Sequence, residues 1–196
     1  MIRGENLVPV RFDLSALVRR SVATFYSHLV TRHTGQALRI GIESQIKDMQ
    51  SLCLSILDFS QVAVLDYSCA DETVAKLLRR YQEADRPVDA YFIARGVSDR
   101  HRDALEEVLT RHGLALVAEV DGVGATLLGA ATPEERAAWQ ALEGLVCAPA
   151  ATVAARVSMD EPTAACTLDR LADRRIVLRR GSPVNYYALS PLARGA

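Results

Sequence analysis

Apolar residues recur along this chain in two rhythms, and the change from one to the other marks its elements. Residues 6–12 (NLVPVRF) make a short first strand. From Leu14 onward, Leu17, Val18, Val22, Phe25, Tyr26, Leu29 and Val30 return every three or four positions, which predicts an amphipathic helix that breaks at residues 31–35 (TRHTG). Thr34 is placed to cap a second helix carrying Ala37, Leu38, Ile42 and Ile46, with Gly41 as its weak point. Residues 51–58 (SLCLSILD) form a short apolar run, the pattern of a strand buried on both faces. The spacing then predicts a helix over 69–84, with Val74, Ala75, Leu77 and Leu78 inward and Lys76, Arg79 and Arg80 outward. A second buried strand at 88–94 and an amphipathic helix at 98–113, ending on His112 and Gly113, follow. LALVAEV and ATLLGA then alternate around the DGVG of 121–124, a hairpin. Strands and helices in this alternation predict an α/β sheet.

The character changes at Ala131, Thr132 and Pro133, dividing the chain into domains at 1–131 and 132–196. The second part reads as helices at 133–145, with Trp139, Leu142 and Leu145 inward, and at 149–156. A third helix opens at Ser158, whose S-x-x-E form with Glu161 is that of a capping box, and runs to Arg174. It buries Ala165, Leu168, Leu171 and Ala172, leaving Thr163, Ala164, Thr167, Arg170 and Arg174 outside. Two short strands around Arg180, Gly181, Ser182 and Pro183 close the chain.

Composition narrows the function. Of the 196 residues 49% are hydrophobic and 24% charged, and the net charge is −1, so no global field draws the chain to nucleic acid or membrane. No run approaches the roughly 20 apolar residues of a membrane span, and no signal-peptide pattern opens the sequence, which points to a cytoplasmic protein. Cys53, Cys69, Cys147 and Cys166 form no CxxC pair, and the surroundings of three of them suit buried thiols. His28, His33, His101 and His112 have no metal-ligand spacing, and solvated or interhelical roles are expected for His28 and His33. Gly122 and Gly124 lack the third glycine of a dinucleotide fingerprint, and no phosphate-binding loop is present. Ser68 and Cys69 are the nucleophile candidates, without a histidine nearby in sequence. The expectation is a protein without enzymatic activity or cofactor.

Residues 57–78, LDFSQVAVLDYSCADETVAKLL, resemble the central strand, loop and helix of the STAS family (sulfate transporter and anti-sigma-factor antagonist domains). They most resemble its STAS-like branch of unknown function, with a serine just before an Ala-Asp-Glu triplet, as TRHTG at 31–35 also does; the pattern extends over residues 6–130. Asp58, Asp66 and Ser68 fall where the family motif puts them. In the antagonists the serine at this position is phosphorylated by a histidine-kinase-like ATPase, which switches partner binding. The resemblance therefore implies Ser68 as phosphoacceptor, with Asp66, Asp71 and Glu72 in the switch loop, and an ATPase or anti-sigma-type protein as partner. Where the antagonists carry small glycines after the serine, this chain has Cys69, Ala70, Asp71 and Glu72. The residues themselves also read as a helix start: Ser68 and Asp71 as a capping pair, and Asp71 and Glu72 as first-turn acids that would repel a phosphate. Asp58 and Asp66, at strand ends, suit turn and cap roles.

Residues 133–192 resemble the winged-helix domains of bacterial transcription regulators, through LDRLADRRIV, the turn Arg179-Arg180-Gly181 and the closing YYAL. The implied fold is a STAS-like α/β sheet with helices followed by a small winged-helix (α+β) domain. The implied DNA contacts are Thr163, Thr167, Arg170 and Arg174 on the third helix, with Arg175 extending the basic stripe, and Arg179, Arg180, Ser182 and Asn185 on the wing. Residues 132–196 hold eight arginines, no lysine and seven acids, a weakly basic balance that leaves protein contact or dimerisation as the other reading. Two functions therefore stand: a transcriptional regulator that binds DNA, and an adaptor that switches protein partners, with Ser68 as its control point. The apolar residues at 14–48 also fit a homodimer.

Overall fold

A computed structural model of the chain describes residues 8–13, 28–48 and 52–194. The first strand, β1 (Val8–Asp13), lies parallel to β3 (Cys53–Asp58), which is parallel to β5 (Ala90–Val97) and then to β6 (Ala115–Val120); β7 (Gly124–Gly129) closes the edge antiparallel. The sheet order is β1-β3-β5-β6-β7. A two-residue parallel ladder, β2 (His28–Leu29) with β4 (Val64–Leu65), sits apart from it. The helix expected from Leu14 lies for the most part outside the described residues. At its end, His28 and Leu29 are strand rather than helix. A single inward Leu29 satisfies either period, and the pairing with β4 decides it.

Helix α1 (Arg32–Lys47) is capped by Thr31, whose Oγ1 accepts from the Thr34 N–H at 3.1 Å, so Thr34 is the donor and not the cap. The next helix begins at Tyr67, two residues earlier than expected, because the Asp66 carboxylate accepts the Cys69 N–H at 2.8 Å. It runs as α2 (Tyr67–Ala70), a π turn (Asp71–Ala75) and α3 (Lys76–Gln82). The wide turn buries Glu72, Thr73, Val74 and Ala75 consecutively, which a 3.6-residue period would not do. It is held against α1 at Gly35: the Thr73 hydroxyl donates to the Gly35 carbonyl at 3.2 Å, and a Cβ on Gly35 would lie 2.8 Å from the Cys69 carbonyl. Helix α4 (Asp99–Arg111) follows β5.

Strands in sequential order, joined by right-handed crossovers, place their helices on one face of a sheet. Cys53, Leu57, Phe92, Ala94, Leu116 and Leu128 face that side and pack with Leu38 and Ile42 of α1, Leu77 and Tyr81 of α3, and Leu105 and Leu109 of α4. The alternate residues, Leu54, Ile56, Tyr91, Ile93, Ala115, Val117 and Leu127, point the other way and are also buried. What covers them is the C-terminal third of the chain.

That third comprises α5 (Pro133–Leu145), β8 (Cys147–Ala148), α6 (Ala150–Val157), α7 (Glu161–Asp173), β9 (Val177–Arg180), β10 (Asn185–Ala188) and α8 (Leu189–Arg194). The three strands pair antiparallel in the order β8-β10-β9. The closing helix α8 is not apparent in the sequence pattern, nor is β8. Ser158 ends α6 in the left-handed conformation (φ 54°), and Asp160 is the cap of α7, accepting the Thr163 N–H at 3.0 Å. The S-x-x-E spacing at 158–161 is therefore not a capping box. Trp139 and Leu142 of α5, Leu168 and Leu171 of α7, Ile176, and Leu189 and Ala193 of α8 join the second sheet face in one apolar cluster. Polar ties reinforce it: the Gln82 amide donates to the Arg174 carbonyl at 3.1 Å, Arg95 to the Ala193 carbonyl at 3.0 Å, and Arg175 to the Ala90 carbonyl at 3.2 Å. The two parts thus share a core.

Candidate interaction site

The loop after β3 is built from local bonds. Asp58, buried at the strand end, accepts the Ser60 N–H at 2.9 Å, and the Val62 N–H donates to the Phe59 carbonyl at 2.8 Å. The His101 ring, at the start of α4, bonds the Val62 carbonyl at 2.8 Å. The chain then runs through β4, and the Asp66 N–H donates to the Leu29 carbonyl at 2.9 Å, which seats the start of α2 beside β2. Ser68 is half-buried here, its Oγ donating to the Asp66 carboxylate at 3.0 and 3.2 Å.

Capping therefore belongs to Asp66 rather than to Ser68 with Asp71. Asp71 and Glu72 turn away into an ion-pair network: Arg32 reaches Glu72 at 2.8 Å and Asp71 at 3.5 Å, Lys76 reaches Glu72 at 2.5 Å, and His112 Nε2 meets Asp71 at 2.5 Å. Arg79 in turn meets His112 Nδ1 at 2.9 Å. Lys76 first, and Arg32 with it, hold the Glu72 carboxyl below its usual pKa against the cost of desolvation. The two acids are compensated by cations from α1 and α3, so the repulsion expected between them and a phosphate on Ser68 is weakened. The acid nearest the hydroxyl is Asp66.

Cys69, next to Ser68, is buried, and burial pushes its thiol up to about 12, so it is not a thiolate nucleophile at neutral pH. Burial likewise raises the Cys53 thiol. Cys147 and Cys166 are exposed, against the expectation of three buried thiols: one lies in the two-residue β8, the other opposite the inner face of α7. His28 and His33 are exposed. Among the described residues no group of three or more His, Cys, Asp or Glu could hold a metal ion, and no helix is long and apolar enough to cross a membrane.

The residues expected on DNA are distributed differently from a groove-reading face. Thr167 is buried at 1% exposure, and Ala164 is buried with it, so the inner face of α7 is Ala164, Thr167, Leu168 and Leu171. The expected face was rotated by about one position, because alanines and threonine carry too little apolar contrast to orient the helix. Arg174 bonds Glu135 at 2.8 Å, the Gly113 carbonyl at 3.3 Å and the Ala130 carbonyl, which commits it to the junction. Arg175 lies over the Tyr91 ring at 4.8 Å and bonds Asp89 at 2.5 Å. Arg170 is exposed, with Glu135 at 3.8 Å, and Arg179 pairs with Asp169 at 3.2 Å. Thr163 and Ser182 are exposed, Arg180 and Asn185 half-buried, and the Asn185 amide donates to the Pro183 carbonyl at 3.3 Å. Asp160 caps α7, and Glu161, Asp169 and Asp173 lie on it with Arg170.

Three large apolar side chains are exposed just after β2, on β4 and at the start of α2, and the sequence pattern marked none of them as a surface feature: Val30 (42% exposed), Val64 (39%) and Tyr67 (46%). Val30 falls within an apparent helical period and Val64 within an apolar run, so neither stands out before the β2–β4 ladder exists. Tyr67, directly ahead of the candidate serine, is the one legible signal. No family model matches the chain, and no curated protein matches it with significance.

Proposed function

We propose that the chain is a partner-switching adaptor, a STAS-like α/β unit covered by a winged-helix unit, which works through protein contacts at the corner formed by Asp66, Tyr67 and Ser68. The observation that carries this reading is the half-buried Ser68 hydroxyl on the Asp66 cap, with exposed Tyr67 next to it in the chain and exposed Val30 and Val64 at the adjoining β2–β4 ladder. A phosphate on Ser68 adds nearly two negative charges beside a carboxylate that holds the helix N-terminus. Asp66 would release the Cys69 N–H or turn outward, and the apolar rim would change shape and sign together. Modification by a histidine-kinase-like ATPase is the route that the family resemblance implies.

The competing reading, a DNA-binding regulator, keeps Thr163, Arg170 and Arg179 as exposed contacts and Arg180 as a half-buried one. Arg174 and Thr167 are committed to the interior, and Arg179 is paired with Asp169, so this reading has the weaker support. The test compares the full chain with Ser68→Ala and Ser68→Asp, each crosslinked in native host cells and scored for complexes by gel. The adaptor predicts complexes whose yield differs between the two variants by about tenfold or more, equivalent to about 1.4 kcal/mol. Equal yields from all three proteins, together with salt-dependent duplex binding lost in Arg179→Glu plus Arg180→Glu, would transfer the function to DNA.

A further inference from the structure

The Ser68 corner has a neighbour of defined charge. In the parallel ladder His28 stands beside Val64, and Leu29 beside Leu65; the two leucines turn inward, so Val64 and, two residues beyond His28, Val30 fall on the outward pleat. Tyr67 continues that rim onto an open groove between the start of α2 and α4, which it lines with Asp103, Glu106, Glu107, Thr110 and Arg111. Three carboxylates there face one guanidinium. Arg111 pairs with Glu107 at 2.9 Å, while Glu106 accepts the uncharged Gly129 N–H at 2.6 Å. Asp103 is exposed and lines the groove beside Tyr67, and Asp99 is exposed one turn earlier on the same face of α4. Arg100 stands three residues before Asp103, and Arg102 four before Glu106, so two guanidiniums border the acids on this helix.

We propose that the apolar rim of Val30, Val64 and Tyr67 and the acidic face of α4 form one docking surface for a basic, apolar segment of a protein partner. The inference rests on the reading of the Ser68 corner as a partner site and supplies the partner's chemistry. The charge selects the class: Asp99, Asp103, Glu106 and Glu107 outnumber Arg100, Arg102 and Arg111 on α4, so a phosphate backbone or an anionic bilayer meets a net negative helix, whereas Lys or Arg side chains flanking apolar ones would meet both halves of the surface. A negative charge added at Ser68 would extend the acidic face across the rim, so phosphorylation would tighten such a partner or change which one is held.

The test places a photoreactive phenylalanine analogue at Val64 or at Tyr67 of the full chain in its native host and sequences the segment captured. The expected segment carries an excess of Lys and Arg among apolar residues. A synthetic Leu/Lys peptide and its Leu/Glu counterpart then serve as defined probes. The Leu/Lys peptide should bind, weaken with rising salt, and lose about tenfold in affinity with Asp103→Lys and with Tyr67→Ala. Capture of an acidic or uncharged segment, of nucleic acid or of lipid, or equal binding of both peptides, overturns the proposed chemistry while leaving the corner as a docking site. Absence of any crosslink at both positions removes the partner site itself.

Discussion

His101 illustrates how much one side chain decides. Its ring is buried at 3% exposure; Nδ1 accepts the Ser98 N–H at 3.3 Å and Nε2 bonds the Val62 carbonyl at 2.8 Å, an arrangement that suits the neutral tautomer with the proton on Nε2. Burial lowers its pKa from 6.5. Because the unfolded chain then binds the proton more readily, the stabilisation is complete above about 6.5 and falls as the pH drops toward the lower folded value. Urea unfolding at pH 7.5 and 5.5 should therefore show a loss of stability on acidification, with a smaller loss in His101→Leu; identical pH dependence of the two proteins would exclude the assignment. Glu72 acts in a separate window, since its lowered pKa makes its contribution disappear only as the pH falls through the carboxylate range. None of this could be read from the sequence. Val62 is 39 residues from His101, and the burial of the ring is a property of the loop that closes over it.

Among the elements, the pattern located strands and helices well and their starts poorly. Thr31 rather than Thr34, Asp66 rather than Ser68 and Asp160 rather than Ser158 are the caps. Each lies in a stretch with several capping residues in succession, and only the backbone conformation of the residue before the first turn chooses among them. The edge strand β7 shows a device that the pattern did not signal. Its outward Gly129 N–H is taken by Glu106, and its Leu127 and Gly129 carbonyls by Arg136 of α5. Unsatisfied edges of this kind invite pairing with another chain. Arg136→Ala should promote self-association, visible as a steeper rise in sedimentation coefficient with concentration than the parent protein gives. A variant that sediments as the parent does would mean that the edge is protected by other means.

For the molecule as a whole, the division at residue 131 is a change of architecture without a separation of cores. Leu54, Ile56, Tyr91, Ile93 and Val117 have the C-terminal helices as their cover. A chain ended at 131 should consequently be insoluble or dye-binding, and the intact protein should unfold in one transition. Trp139, the sole tryptophan, lies in the shared cluster and reports it directly: its fluorescence midpoint in urea should coincide with that of far-UV circular dichroism. Two resolved midpoints, or a well-folded fragment 1–131, would show that the parts stand independently.

Local periodicity, turn residues and charge balance belong to neighbouring residues, and they determined the alternating α/β part, the hairpin at β6 and β7, and the three C-terminal helices followed by a β-ribbon. Tertiary structure decided what depends on residues distant in the chain: that the bare face of a sequentially ordered sheet is closed by the C-terminal third, that Arg174 and Arg175 serve this closure, and that β2 pairs with β4 and leaves Val30 and Val64 exposed. Burial and pairing are properties of surfaces in contact, and those surfaces exist only once the sheet has formed.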